Sequence, residues 1–183
     1  MFDATSADCN VALGAYSLAN NTTADLNTAL GACSMYTNGT GANNVAVGYS
    51  SLYSTTGSNN TAVGLNALVS SQGTNDSTAI GMRALCSQTT GSNNTSVGYS
   101  SMCGVTTGVC NTSIGRLSGR ITSTGNNNAS LGYDANPSAF GSNNQITLGN
   151  SNNNNLRCAD TSISTLSDLR DKTNVEDIPH GLD

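Results

Sequence analysis

The chain has almost none of the large or charged side chains from which globular domains are usually built. Its 183 residues include no tryptophan and two phenylalanines, and only 9% of them are charged, whereas roughly 25% is typical of soluble domains. A conventional hydrophobic core is therefore excluded. Disordered chains are usually highly charged and lack regularly placed apolar residues, so the composition favours a thin, repetitive core of small side chains.

Basic residues are also scarce. Lys172 is the only lysine, the net charge is −5, and the arginines before residue 170 are scattered, namely Arg83, Arg116, Arg120 and Arg157. Nucleic-acid binding requires a basic stripe that neutralises phosphates, and the sequence has none. No apolar run approaches the roughly 20 residues of a membrane span, so we expect neither a nucleic-acid partner nor membrane insertion. The beginning of the chain has no basic start and no apolar stretch, so no secretory signal peptide is predicted.

Against this background a glycine returns at a fixed interval along most of the chain. It follows an apolar residue, which itself follows a small one, and a single step, from Gly48 to Gly64, is one residue shorter than the others. A period of about 17 residues indicates one small structural unit stacked repeatedly. The series comprises Gly14, Gly31, Gly48, Gly64, Gly81, Gly98, Gly115, Gly132 and Gly149.

Each unit is too short for a pair of helices and suits one coil of β-structure. The three residues before each glycine alternate in the period-2 manner of a strand, and polar segments such as SQGTND predict turns. We predict a short strand, a glycine bend, a second short strand and a polar turn in every unit. The predicted fold class is all-β, a parallel β-solenoid or β-roll of about nine coils.

Little apolar bulk is available in each coil. At the fourth position after the glycine, six units carry a leucine or a methionine. At about 25 cal/mol per Å² of buried apolar area, a roll of one such chain is only marginally stable. We therefore expect several chains to associate. The six residues are Leu18, Met35, Leu52, Leu68, Leu85 and Met102.

The repeats carry a resemblance to known proteins over about residues 8–150. Units such as NTAVGLNAL and NTSVGYSSM resemble the head repeats of trimeric autotransporter adhesins, whose polar, glycine-punctuated coils form a β-roll shared by three chains. They are even more similar to repeats in tail-fibre and other appendage proteins of phages and large viruses. Both resemblances imply a homotrimer.

The segment that begins at Ser167, SDLRDKTNVEDIPHGLD, differs sharply in character from the repeats. It resembles the opening of the self-cleaving intramolecular chaperone domain at the C-termini of endosialidases and other phage fibres, through the spacing of Ser167, Asp168, Arg170 and Lys172. In that family a Ser–Lys pair cuts the chain next to the serine. The resemblance implies Ser167 as the nucleophile and Lys172 as its base, which must be desolvated to become neutral.

Three segments and one function are expected from these patterns. Residues 1–150 form the repetitive shaft or head, 151–166 an Asn-rich connector, and 167–183 a truncated beginning of the chaperone domain. By resemblance, the protein is a structural fibre or receptor-binding appendage of a phage or other virus. It would lie on the virion, outside cells, and attach to a glycan or receptor of the host surface. The alternative is the head of a trimeric adhesin on a bacterial cell surface.

Turnover catalysis, cofactors and metal sites are not expected. Five aspartates precede Asp160, and we expect no two of them to share a register in neighbouring coils, so paired carboxylates for glycoside cleavage are missing. Glu176 and His180 are the only residues of their types, which leaves no histidine triad and no multi-histidine metal site within one chain. At most, the protein would perform the single self-cleavage beside Ser167.

One pair of the six cysteines is placed for a disulfide. Cys86 and Cys103 each occupy the fifth position after a repeat glycine, so they should stack in adjacent coils about 4.8 Å apart, within bridging range. Buried free thiols are the alternative. Cys9 and Cys110 share a different register but are six coils apart.

Threonine and asparagine suggest two further possibilities. Ice-binding solenoids need threonine at one register in coil after coil, and here valine, alanine and isoleucine interrupt that register. Asn-x-Ser/Thr sequons, the acceptor sites for N-glycosylation, also recur, although many would arise in any chain of this composition. Those sequons begin at Asn20, Asn21, Asn38, Asn59, Asn75, Asn93, Asn94, Asn111 and Asn128.

Overall fold

A computed structural model describes residues 7–153 and shows one sheet of nine parallel strands in sequence order. The predicted all-β solenoid is confirmed, with about eight turns between the first strand and the last. No helix occurs in this range, so none there could cross a membrane. The strands are β1 (Val11–Leu13), β2 (Thr28–Leu30), β3 (Val45–Val47), β4 (Thr61–Val63), β5 (Thr78–Ile80), β6 (Thr95–Val97), β7 (Thr112–Ile114), β8 (Ala129–Leu131) and β9 (Ile146–Leu148).

Every strand pairs in register with the next, including across the shorter coil. Ala46 of β3 lies opposite Ala62 of β4, although this step is one residue shorter than the next, from Ala62 to Ala79. The residue is lost between Leu52 and Asn60, where the chain runs through a polar turn. Loss from the strand would have turned the remaining side chains of that strand to the opposite face, so the turn absorbs the difference.

Within each strand the middle side chain points inward and the two flanking side chains point outward. From β2 to β8 the middle residue is a buried alanine or serine, as at Ala62 and Ser96. The flanking residues, such as Thr78 and Ile80, are half-buried or exposed. The small residue of the repeat therefore belongs to the core, and the larger apolar residue before the glycine does not.

The predicted second strand after each glycine is wrong, because the backbone there turns instead of extending. Asn66 and Leu68 follow Gly64 with φ of 56° and 50°, in the left-handed region that strands do not use. The Ala67 N–H donates to the Gly64 carbonyl at 3.3 Å, and the Leu68 N–H donates to the Ala84 carbonyl of the next coil at 3.0 Å. Successive coils are thus hydrogen-bonded outside the sheet as well.

A single column of leucine and methionine fills the interior beside the sheet. Leu18, Met35, Leu52, Leu68, Leu85 and Met102 are all fully buried. The column stops at Met102, because the next position is Gly119. A Cβ atom added there would meet Oγ of Ser113 most closely and would lie 2.9 Å from Cγ of Met102, so these two side chains already occupy that space.

This column predicts the cost of truncation. Leu68→Ala should lower the free energy of unfolding by about 3 kcal/mol, since it removes buried contacts and leaves a cavity. Leu65→Ala is the matched control, because Leu65 lies in the same coil with its side chain substantially exposed, and it should cost under about 1 kcal/mol. Urea unfolding at one protein concentration measures both. Equal losses would contradict this position of the core.

Buried asparagines form a second interior column, immediately before the strands. Each uses its side chain to bond the next coil. In Asn111 the Oδ1 atom accepts from the Asn128 N–H at 3.0 Å, and Nδ2 donates to the Gly125 carbonyl at 2.8 Å. Such bonds satisfy backbone groups that the short strands cannot pair. The buried members of the column are Asn27, Asn44, Asn60, Asn94, Asn111 and Asn128.

Candidate functional site

The outward side of the sheet, which we call the outer face, carries an unbroken apolar column along its whole length. It consists of the first and third residues of the nine strands, and none of these positions carries a charge. Leu13, Ile80, Ile114 and Leu131 are between 40% and 70% exposed. Near β8 and β9 the face forms a groove of about 230 Å³ lined by apolar side chains. Exposed apolar surface of this extent is characteristic of an interaction site.

The threonines of the outer face lie in one column. Thr61, Thr78, Thr95 and Thr112 occupy equivalent positions in four consecutive strands. Thr28 takes the same position in β2, valine or alanine takes it in β1, β3 and β8, and isoleucine takes it in β9. A regular threonine array is therefore limited to the central half of the sheet.

A separate cleft of about 410 Å³ is lined by residues of the turns that follow the repeat glycines. We call it the arginine cleft and define it by Arg83, Tyr99, Leu117, Arg120 and Phe140, all of which line it. None of these residues belongs to a strand, so the cleft is distinct from the outer face.

The arginine cleft gathers positive charge in a chain that is acidic overall. Arg83 is exposed and forms no ion pair within the described residues, and Arg120 pairs with Asp134 through Nε at 3.0 Å. Arg116 lies beside the cleft between two aromatic rings, with Cζ 5.5 Å from the centroid of Tyr99 and 5.4 Å from that of Tyr133. Cation–π contacts of this kind hold a guanidinium in place without neutralising it.

The structure joins Cys86 and Cys103 in a disulfide between adjacent coils, with their Cα atoms 5.0 Å apart. Cys103 also lines the arginine cleft, so the bridge connects two of the coils that form its wall. Within the described residues, Cys9, Cys33 and Cys110 are free thiols, and Cys9 and Cys110 are exposed.

The proposed self-cleavage pair, Ser167 and Lys172, lies outside the described residues, as do Glu176 and His180. The same holds for nearly all of the predicted connector 151–166 and for the whole of 167–183. The described part of the chain brings no three histidine, cysteine or acidic side chains together in a way that could hold a metal ion.

The expectation that no two aspartates share a register is wrong for one pair. Asp8 and Asp25 occupy equivalent positions in adjacent coils, and the Asp8 N–H donates to Oδ1 of Asp25 at 2.7 Å. The Asp25 carboxylate therefore bonds the backbone of the preceding coil. Neither residue lines the arginine cleft or the groove of the outer face.

The nine sequons divide into two groups. Five of their asparagines are buried in the fold, at Asn21, Asn38, Asn94, Asn111 and Asn128, and these are inaccessible to modification. The other four, Asn20, Asn59, Asn75 and Asn93, are exposed.

Comparisons with protein-family models, with curated proteins and with solved structures find no match. The outer face, the arginine cleft and the repeat itself are therefore the features that bear on function.

Sequence patterns alone reveal neither surface. Nothing in the order of residues shows that the apolar residue before each glycine turns outward, as it does in the structure. The arginines look scattered in the sequence. However, two residues that line the cleft, Arg83 and Leu117, each lie at the second position after a repeat glycine, two repeats apart, and Arg120 follows Leu117 closely. Equal offsets of this kind are the available signal, because residues with equal offsets must lie in one column.

Proposed function

We propose that this chain is one subunit of a homotrimeric fibre or receptor-binding appendage of a virus, and that its outer face is the surface through which the three copies associate. The observation that carries the proposal is the uncharged and largely apolar outer face of nine in-register strands. Burying a leucine, isoleucine or valine side chain fully contributes about 1.5–3 kcal/mol. The third strand position alone offers nine such side chains, of which five are exposed and four are half-buried in the single chain.

A second copy of the chain is the partner that fits this face best. Its side chains recur at the spacing of parallel strands, about 4.8 Å, over a length of about 40 Å. A copy of the same chain presents the same spacing, so the contact repeats from end to end, and no charges oppose it. Three copies around one axis form a closed assembly. The trimeric state is supported by the resemblance to adhesin heads and viral fibres.

The attachment role follows from the shape and from the same resemblance. A stack of hydrogen-bonded coils is a stiff rod, and three copies present each surface site three times. Weak contacts repeated in this way gain avidity of about 10²–10⁴ over a single site. The segment beginning at Ser167 resembles a phage-fibre chaperone, which supports a viral appendage over the head of a bacterial adhesin.

The assembly can be tested by placing charge on the outer face. The wild type should have the mass of three chains of 18.5 kDa each in light scattering after gel filtration. Ile80→Glu combined with Ile114→Glu should yield monomers, because each copy would bury two carboxylates against apolar side chains. In a glycan array the trimer should bind, and the monomeric variant should bind about 100-fold more weakly.

The matched control carries the same added charge elsewhere. Gln72→Glu combined with Thr107→Glu places two carboxylates about two coils apart on exposed turns that are not part of the outer face. This variant should remain trimeric. A wild type that is a stable monomer would overturn the proposal, and so would dissociation of the control.

One observation favours a second function. The threonine column of β4 to β7 faces outward beside an apolar column, a pattern that also suits ice binding. In that case the outer face would be free in solution. Thermal hysteresis measured on the same samples separates the two functions. Clear activity of a monomeric wild type would replace the fibre assignment with the ice-binding one.

A further inference from the structure

The described part of the chain concentrates its positive charge in one place. Residues 7–153 contain three arginines and no lysine or histidine, and all three arginines lie at the arginine cleft or against Tyr99 in its wall. One carboxylate, that of Asp134, pairs with them. The local charge is therefore positive although the whole chain carries −5. Clefts lined by one sign of charge raise the local concentration of oppositely charged ligands.

Two guanidinium groups are available to a ligand in the arginine cleft. Arg83 makes no ion pair within the described residues. Arg120 uses only Nε for Asp134, which leaves its terminal N–H groups free of that bond. A guanidinium presents its N–H donors in a planar fork that matches the two oxygens of a carboxylate or a sulfate. The polar side of the cleft is thus suited to an anionic group.

The remaining wall of the arginine cleft is apolar and aromatic. Phe140 is 75% exposed, and Tyr99 and Leu117 line the cleft beside it. A sugar ring has an apolar face of C–H bonds that packs well on such side chains. The volume of about 410 Å³ lies within the range of small-molecule sites, roughly 300–1,000 Å³. An anionic group and an apolar ring face are therefore accommodated together.

We infer that the arginine cleft binds an acidic sugar, in which a carboxylate or a sulfate pairs with Arg83 and Arg120 and the ring packs against Phe140. The inference rests on the proposed attachment function and names the ligand class of that attachment. No strand residue lines the cleft, so association through the outer face leaves its lining residues out of the sheet contact.

The test is direct binding of soluble sugars to the full chain by titration calorimetry. The probes are methyl glucuronide, N-acetylneuraminic acid and glucose 6-sulfate, with glucose and inorganic sulfate for comparison. At least one acidic sugar should bind about tenfold or more tightly than either glucose or sulfate. The carboxylate and sulfate probes distinguish the two sources of the anionic group.

Variants locate the site. Arg83→Gln should weaken binding of the acidic sugar about tenfold or more, and Phe140→Ala should weaken it while leaving the binding of sulfate unchanged. Arg83 is exposed and its side chain has no ion pair in the described range, so its loss should not unfold the chain. Gln72→Glu lowers the net charge by the same amount at an exposed turn and should leave affinity unchanged.

Each contrary result has one meaning. Equal binding of glucose and acidic sugars overturns the inference, as does a Gln72→Glu variant that weakens binding as much as Arg83→Gln. Inorganic sulfate that binds as tightly as the sugars leaves only an anion site and also overturns it. Attachment of the trimer to a glycan array without binding of these probes removes the acidic-sugar site and keeps the attachment function. Binding of the probes without any attachment to the array keeps the acidic-sugar site and removes the attachment function.

Discussion

Replacing Gly64 with alanine should lower the free energy of unfolding by about 4 kcal/mol, one of the two largest effects expected of a single substitution here. Gly64 has a φ of +132°, a conformation that residues with a Cβ atom rarely adopt. An added Cβ would also lie 2.7 Å from the carbonyl carbon and oxygen of Gly81 in the next coil. These are backbone atoms within the hydrogen-bonded stack, so they cannot move aside cheaply.

Gly73 provides the matched control. It lies in the following turn, its φ is not in the positive range, and nothing stands within 4 Å of an added Cβ. Gly73→Ala should change stability by under about 1 kcal/mol, with a slight gain expected from the lower entropy of the unfolded chain. Urea unfolding followed by circular dichroism measures both variants. All samples need one protein concentration, because association shifts apparent stability. Similar losses at the two glycines would contradict the close approach of the coils.

Asn111→Leu should cost about 3 kcal/mol or more in the free energy of unfolding. The substitution keeps an interior side chain of broadly similar length but removes every side-chain hydrogen bond. The Asn128 N–H and the Gly125 carbonyl would each lose the partner that Asn111 supplies, at 3.0 and 2.8 Å. Both groups are in the interior of the roll, where water cannot replace the partner, and each unpaired group costs about 1–3 kcal/mol.

The control uses the same type of bond at the surface. Asn126 is exposed, and its Oδ1 accepts from the Val109 N–H at 2.9 Å. Asn126→Ala should therefore cost under about 1 kcal/mol, because water can take over the bond. Chemical denaturation at fixed concentration compares the two positions. If both substitutions cost the same, the buried column has no special role.

We expect that a neighbouring side chain can compensate for a break in the asparagine column. Ser77 replaces asparagine in one coil, and Nε2 of Gln88 then bonds both Ser77 Oγ and the Gly91 carbonyl that an asparagine would have reached. The equivalent residues two coils further are Asn111 and Thr122. Asn111→Ser alone should destabilise, and Asn111→Ser with Thr122→Gln should recover about half of the loss. No recovery would mean that Gln88 does not perform this role.

The sequence predicts the stacking of the coils but not their cross-section. A fixed period requires equal units in contact with their neighbours, so the parallel, in-register sheet follows from the glycine series alone. The predicted second strand is wrong, because residues such as Leu68 have no property in the sequence that marks a left-handed φ. That conformation is set by bonds to the adjacent coil, such as the one from the Leu68 N–H to the Ala84 carbonyl.

The candidate sites depend on the cross-section even more strongly. Arg83 and Arg120 are far apart in the sequence, and their offsets from the repeat glycines differ. Only the path of the turn after the glycine brings the two columns to the walls of one cleft. Phe140 joins them from a later coil, where the repeat is least regular. No motif search would have connected these three residues.

The sequence by itself determined the period, the parallel stacking and the scarcity of apolar bulk, because these depend on the order and types of residues. The tertiary structure alone decided which side of each strand faces inward. The leucine and methionine column fills the interior beside the sheet, so only alanine or serine fits at the middle strand position, and the larger apolar residue is turned to the outer face. The same packing placed the arginines around one cleft. The direction of a side chain and the distance between two residues across a coil depend on contacts between coils. No single position of the repeat specifies these contacts.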